Sequence, residues 1–560
     1  MKRNTLTTAV VASIAGVAGI ASVSNAVFLN PDGVGQVLIY PYYTVNAGND
    51  TLLSVVNTTN QGKAVKVRFL EGRNSREVLD FNLYLSPFDV WTAAITTAST
   101  LATDPAVLTT NDNSCTAPNI RFNTGLPAFA GTTNRFVAFR NFQYAGSDAG
   151  PDSLDRTREG HFEMIEMGVV NNLGGDGFPT LNTLRNITHV AGTGIPANCG
   201  AVNSNWQTQG NATGYTPGGG AFTRIDTTAP TGGLFGGAAI VQVANGTYIN
   251  YNADALEDFR NDSVHSNPGE VVPSLFFAQN AGSVPVVDSF GTIPALGARS
   301  IVFDNGRVVV QNWPLNSLRN ARAVDAVSAV LAQDTILNEF VTDTTLGAAS
   351  EWVITFPTKR FYVDPLFTAA APVAPFTRIF PLTSTPDGTG TSCIDIALGF
   401  FDREEGTAGG GLLDFSPRPP GATGPQLCFE AQVVTFNQTL AGGSSTILGS
   451  ATARNINTSQ SGSFQNPTAF NAGAGWASIR FLQNATQTVT RSTESCNGDA
   501  ACTVGSLSWR YEGLPVTGFW ALTIANNNAA PGVRGNYGGA FRHRGSRNCV
   551  GPALNPFCVL

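Results

Sequence analysis

The residues able to do chemistry in this chain are few and scattered. It holds four histidines, His161, His189, His265 and His543. Their contexts differ, so a triad or a metallohydrolase would have to draw on them one at a time. There is no HExxH helix, no GxSxG elbow, no SxxK with its partner motifs, and no Walker or Rossmann glycine pattern. One carboxylate pair invites a test, in His161-Phe-Glu163-Met-Ile-Glu166-Met. A glycosidase needs two carboxylates flanking one bond, whereas residues three apart on a strand point to opposite faces. Glu166, set among Met164, Ile165 and Met167, reads instead as a structural partner for an arginine such as Arg156 or Arg158. Phe400-Phe401-Asp402-Arg403-Glu404-Glu405 reads as a strand end running into a solvated loop. No catalytic residue is assigned, and no cofactor is expected beyond structural calcium.

For calcium the hard oxygens are in place. Asp32 in Asn30-Pro-Asp-Gly33, Asp50 beside Asn46 and Asn49, and the series Asp148, Asp152 and Asp155 are the candidate ligands. None matches an EF-hand loop, and Asx–Gly clusters are also ordinary turn chemistry. The eight cysteines fall in neighbouring pairs that predict disulfides Cys115–Cys199, Cys393–Cys428, Cys496–Cys502 and Cys549–Cys558. Eight cysteines allow about a hundred pairings, so the reason is local. Cys393 and Cys428 each open an apolar run, Ile394 to Phe401 and Phe429 to Phe436, that read as adjacent strands. No CxxC is present to suggest zinc.

Disulfides imply an oxidising compartment, and the first 26 residues supply the route. Lys2 and Arg3 precede an uncharged run, Ala9 to Val23, and Ser24-Asn25-Ala26 offers the small residues of a signal-peptidase site. The mature chain is expected to start at Val27, exported to the periplasm, the cell surface or the medium. Removing Lys2 and Arg3 with the leader takes the net charge from −7 to −9, with no basic cluster. Nucleic acid and anionic membranes are therefore poor partners. No later segment offers about 18 consecutive apolar residues, so no transmembrane helix is expected. Only Lys2, Lys63, Lys66 and Lys359 are lysines, and charged residues make up 13% of the chain against 60 glycines. A polar, uncharged surface of that kind suits a β-rich extracellular protein.

The elements that must position these residues are mostly strands. In Ala64-Val-Lys-Val-Arg-Phe-Leu70 the apolar Val65, Val67 and Phe69 alternate with Lys66 and Arg68, the period of a half-buried strand. Gln36 to Tyr40, Thr51 to Val56, Val78 to Leu85 and Val90 to Ala93 surround it, at the spacing of an immunoglobulin-like sandwich. Asn245-Gly246 and Asp304-Asn305-Gly306 each sit between apolar runs and predict tight hairpins. Two helices are expected, a short one over Asp254 to Phe259 and a longer one over 323–341. The fold class is mainly β: immunoglobulin-like sandwiches with a few short helices, held by disulfides. The domains expected are a signal peptide at 1–26, an N-terminal sandwich at 27–145, a central β-rich domain at 146–365 and a C-terminal β-rich domain at 366–560. An outer-membrane barrel fits less well, because its strands run to about ten residues and these are mostly shorter.

Asn30-Pro-Asp-Gly33 with Gln36-Val-Leu-Ile-Tyr-Pro-Tyr-Tyr-Thr44 resembles the start of a group of secreted proteobacterial cell-surface proteins. Glu351-Trp-Val353 with Phe356-Pro-Thr-Lys-Arg360 resembles a second motif of that group, and Gly233-Leu-Phe-Gly236 with Tyr251-Asn-Ala253 a third. The resemblance implies export and supplies no catalytic assignment. The function expected is that of an exported, non-enzymatic surface or matrix protein acting through β-domain contacts, self-assembly included, with itself or surface glycans as partners. The alternative is a carbohydrate-binding or carbohydrate-processing protein. Its candidate aromatics are Tyr40, Tyr42, Tyr43, Trp91, Trp313, Trp352, Trp476, Trp509 and Trp520, most of them in apolar strands that suit a core.

Overall fold

The computed structural model describes residues 26–99, 101–172, 182–207, 227–270, 272–278, 298–304, 307–313, 324–367, 375–376, 392–403, 407–408, 425–437, 445–457, 473–481, 493–494, 508–526 and 529–550. The expected leader lies outside them apart from Ala26, as do Cys496, Cys502 and Cys558. The first strands are β1 (Phe28–Leu29), β2 (Val37–Thr44), β3 (Asp50–Asn57), β4 (Gly62–Glu71), β5 (Glu77–Leu85), β6 (Val90–Thr97), β7 (Ala106–Thr109), β8 (Cys115–Ala117), β9 (Phe136–Ala138) and β10 (Glu159–Val170). After helix α1 (Cys199–Gln207) come β11 (Leu234–Gln242), β12 (Thr247–Asn252), β13 (Asp254–Glu257), β14 (Ala298–Asp304) and β15 (Arg307–Trp313). Helix α2 (Val324–Leu331) leads into β16 (Thr335–Val341), β17 (Ala348–Thr355), β18 (Ile394–Asp402), β19 (Ala431–Asn437), β20 (Arg454–Asn457), β21 (Ala474–Phe481), β22 (Thr517–Ile524), β23 (Tyr537–Arg542) and β24 (Arg544–Ser546).

Four of the sheets form two sandwiches. In the first, β1-β13-β2-β10-β4-β5-β8 packs on β12-β11-β3-β6-β7-β9. Between them lie Tyr40, Val65, Val67, Phe69, Leu83, Phe162 and Met164 from one sheet and Leu53, Val55, Trp91 and Ile95 from the other. In the second, the sheet containing β18-β21-β16-β24 packs on β20-β19-β17-β22-β23, all antiparallel except β19 with β20. Phe340, Phe400 and Ile479 meet Trp352, Ile354 and Phe436 there. The opposite face of the β17 sheet is also covered: Val353, Val433, Phe519 and Ala521 join the core of the first sandwich. A strand buried on both faces has no polar alternation, which is why Trp352-Val353-Ile354 reads as a continuous apolar run.

Several expectations need correction. The boundary at 145/146 cuts the first sandwich, because β10 lies between β2 and β4 and β11 lies beside β3. The boundary at 365/366 cuts the second, because β16 pairs with β21 and β17 with β19 and β22. The helix expected over 323–341 stops at Leu331, and Thr335–Val341 is a strand with Ile336, Asn338 and Phe340 facing inward. Residues 254–257 are strand β13, held extended by pairing with β1 and β2, where a short helix was expected. Lys66 and Arg68 do not face solvent: their side chains are 0% and 3% exposed. Segments around 265–267 and 358–364 cover that face of β4, as the contacts of Lys66 with the Asn267 carbonyl and of Arg360 with the Ser75 carbonyl show. Both hairpins form, β11 to β12 and β14 to β15. Two expected disulfides are present, Cys115–Cys199 and Cys393–Cys428.

Candidate functional site

The outer face of the β12-β11-β3-β6-β7-β9 sheet carries a cleft of about 610 Å³. Register decides what lines it. Side chains alternate across a strand, so with Leu53, Val55, Trp91 and Ile95 turned to the core, Leu52, Ser54, Thr92 and Ala94 turn outward. Two rows run across the strands on this face. One is Asn252–Gly237–Ser54–Thr92, and the other is Asn250–Ala239–Leu52–Ala94–Thr109. The centre of the floor is thus made of glycine, serine and alanine, and the rims carry amides and hydroxyls. Gly237 is required where it stands, since a Cβ there would meet the Tyr251 carbonyl oxygen at 2.8 Å. Behind the floor Tyr40 fills the space under Gly236 and donates to the Ser54 carbonyl at 2.7 Å.

Two aromatic rings stand at the margins, Phe235 at 41% and Tyr248 at 55% exposure. Asn250 and Asn252 are exposed beside Tyr248, and Asn111, Asn134 and Thr110 close the side nearest β7. Among the described residues that line the cleft, none carries a carboxylate, amine, guanidinium, imidazole or thiol. The arrangement offers stacking surfaces and uncharged hydrogen-bonding groups. It offers none of the side chains that move protons near neutral pH.

The buried ionisable groups lie away from the cleft. Glu166 receives Lys63 Nζ at 2.8 Å and the N–H groups of Thr231 and Gly232 at 3.0 and 2.8 Å. The partner expected for Glu166 was Arg156 or Arg158; Arg156 is instead taken by Glu71 and Asp148, at 2.8 and 2.6 Å. Arg158 goes to Asn46 and to the Val45 carbonyl. Glu163 pairs with Arg68 from the opposite face of β10, so the two glutamates diverge. Burial alone would raise the Glu71 carboxyl, but Arg156 and the Arg76 N–H hold it below its ordinary value. Burial lowers Lys359 to about 8 and raises Glu430 to about 8. It lowers His161 to about 3 and His543 to about 4.

The calcium candidates are not brought together. Asp148 is engaged by Arg156 and Asn74, Asp152 accepts the Gly146 N–H, and Asp155 accepts the Ser153 hydroxyl. Asp32 is in an exposed turn, and Asp50 opens β3. Among the described residues no group of three or more His, Cys, Asp or Glu side chains is placed to hold a metal ion. Of the candidate aromatics, Tyr40, Tyr42, Tyr43, Trp91 and Trp352 are fully buried, and Trp520 is 3% exposed. Trp476 is exposed and stacks on Phe401 with centroids 4.1 Å apart. The side chains of Trp313, Trp509 and Cys549 lie outside the described set. The residues that sequence reasoning missed are Phe235 and Tyr248. The signal for Tyr248 was present in Thr247-Tyr-Ile-Asn-Tyr-Asn252, where alternation puts Tyr248, Asn250 and Asn252 on one face. Against protein-family models, curated proteins and solved structures, the chain matches none.

Proposed function

We propose that this is an exported, non-enzymatic binding protein whose cleft takes a neutral, hydroxyl-rich ligand, a saccharide of the cell surface or matrix. The observation that carries the reading is the lining: two exposed aromatic rings, amides and hydroxyls over a small-residue floor, with no ionisable acid or base. Rings stack on the apolar faces of sugars, and fixed amides exchange hydrogen bonds with their hydroxyls. Glycoside hydrolysis needs paired carboxylates, so the lining favours binding over cleavage. Export is supported by the leader-like first 26 residues and by two disulfides. Among the described residues no helix is long and apolar enough to cross a membrane. The resemblance to secreted surface proteins leans the same way, and its third motif supplies Phe235, Gly236, Tyr251 and Asn252 to the cleft. Self-assembly draws less support, because the edge strands β1, β8 and β9 of the first sandwich have two or three residues each, and short edges discourage pairing between molecules.

Glycan-array screening followed by affinity electrophoresis tests the reading. Phe235→Ala and Tyr248→Ala should each weaken binding to the selected glycan about tenfold, a loss of roughly 1.4 kcal/mol. Trp476→Ala, on the other sandwich, should leave it unchanged. A wild-type protein that binds no neutral glycan, or variants that bind as well as wild type, refutes the proposal.

A further inference from the structure

The binding face does not end at the edge of the first sandwich. Beyond β12 the next backbone is β23 of the second sandwich. Arg534 and Asn536 fix the approach by donating to the Ala244 and Asn245 carbonyls in the turn between β11 and β12, the second at 2.5 Å. A Cβ on Gly538 would lie 2.7 Å from the Tyr248 carbonyl oxygen and 3.1 Å from Ile249 Cγ1. Gly538 therefore faces the same side as the buried Ile249. One strand further on, Tyr251 stacks against Phe519 with centroids 4.7 Å apart and planes 19° apart, again on the buried side. Alternation along both strands then turns the remaining residues outward together. Tyr248, Asn250 and Asn252 on β12 share a side with Tyr537, Gly539 and Phe541 on β23.

From this continuity we infer that the ligand is an extended, neutral polysaccharide that crosses from the first sandwich onto the second; the inference rests on the saccharide reading of the cleft. Tyr537 is 67% exposed and Phe541 49%, and Phe541 is braced by Trp520 at 5.0 Å. The one guanidinium on β23, Arg542, lies on the other side of the strand and is held by Asp254 at 2.7 Å. The outward face of the strand is thus aromatic and uncharged, like the cleft. Phe235 and Tyr248 are six positions apart along the sheet, since Tyr248 stands opposite Val241. At the rise of an extended strand that is about 20 Å, the span of about four linked sugar rings. Gly538 meets Tyr248 and Arg542 meets Asp254, so β23 runs beside β12, and Tyr537 and Phe541 extend the surface sideways across the strands, by about one ring at the usual strand spacing. A single sugar or a disaccharide would use only part of it.

The test is calorimetric titration of the intact protein with cello-, xylo-, manno- and malto-oligosaccharides of two to eight units. For the series that binds, affinity should keep rising beyond about four units, because the added rings cross onto new aromatic surface. Tyr537→Ala and Phe541→Ala should each weaken the six-unit ligand about fivefold to tenfold and leave the three-unit ligand unchanged. Tyr248→Ala should weaken both lengths. If three units bind and six bind no better, or the β23 variants bind six units as wild type does, the extension is overturned and the cleft reading survives. If no oligosaccharide of any length binds the wild-type protein, both fall.

Discussion

The Lys63–Glu166 pair gives a sharp mutational test of how the cleft is held. Both side chains are 0% exposed and the ion pair closes at 2.8 Å. Glu166 also accepts the Thr231 and Gly232 N–H groups, and Lys63 also reaches the Thr231 hydroxyl at 2.5 Å. Thr231 and Gly232 immediately precede β11, which carries Phe235. Lys63→Met should leave a buried carboxylate without its counter-ion, and Glu166→Gln a buried ammonium without its own. Each should cost about 3–5 kcal/mol, the penalty of an uncompensated buried charge. The double variant removes both charges, while the glutamine oxygen still accepts the N–H groups of Thr231 and Gly232, the strap leading into β11, so it should cost only about 1–2 kcal/mol. Urea denaturation followed by tryptophan fluorescence would give the cycle, with a coupling of about 4–9 kcal/mol on these costs. Hydrogen exchange at residues 231–234 should accelerate in both single variants and recover partly in the double. Additive single costs, or a single cost below about 1 kcal/mol, would refute the claim that this buried pair anchors the strap.

Three further outcomes are expected. His161 is buried with its pKa lowered to about 3, so the stability it contributes is complete above the unfolded value near 6.5 and is lost as pH falls toward 3; between about pH 6.5 and 4.5 the wild type should lose about 1.4 kcal/mol per pH unit more than His161→Phe, and parallel stability curves would contradict this. Removing Cys115–Cys199, whose loop spans 84 residues, should cost about 4.6 kcal/mol, and removing Cys393–Cys428, which spans 35, about 3.8 kcal/mol; thermal unfolding of the paired Cys→Ser variants checks the order, which fails if the shorter bridge matters more. Lys63, Lys66 and Lys359 are each 0% exposed, so an amine-reactive acetylating ester should modify none of them in the native protein and all three after unfolding, and native labelling of Lys66 would show that β4's polar face is open.

The sequence was informative wherever the determining interaction is local. Alternation in Val65, Val67 and Phe69 announces β4, and Asn245-Gly246 announces a hairpin because its turn needs positive φ, which Gly246 adopts at 65°. It failed where distant pairing overrides local pattern. In Thr335-Ile-Leu-Asn-Glu-Phe-Val341 the apolar residues fit a helix continuing from α2 and also a strand with Ile336 and Phe340 inward. The strand wins because β21 and β24 pair with both of its edges from more than a hundred residues away. Residues 254–257 yield to β2 for the same reason. The cleft was illegible for a further reason: its two rows draw on β3, β6, β7, β11 and β12, and which residues share a row is known only from the register. Of the aromatic residues picked out by type, Tyr40, Tyr42, Tyr43 and Trp91 are core residues, as the apolar strands that carry them suggested.

The few lysines of the chain have a common location. Every lysine beyond residue 26 is buried, along with Arg68, Arg76, Arg156 and Arg360. They lie where the first sandwich meets the segments that cover it and link it to the second. Arg76 faces both Asp148, at 3.8 Å, and Asp364, at 3.2 Å, and so ties the first sandwich to the 358–364 segment that follows β17 of the second. Glu351, from the second resembling motif, accepts the N–H groups of Ile447 and Leu448, while Thr44 and Asn49 donate to the carbonyls of those same residues. Buried ion pairs are poor sources of net stability, since apolar replacements often do as well. Their value at this seam is directional: an apolar seam tolerates sliding, whereas Arg76 between two aspartates and Glu351 on two amides allow one alignment. That alignment sets β23 against β12 and makes one face from two sandwiches. The same distribution leaves no lysine exposed among the described residues. A face of amides, hydroxyls and rings without ammonium groups has little long-range field with which to select charged molecules. Such a face selects by stacking and by short-range hydrogen bonds, the terms on which a neutral polysaccharide is recognised.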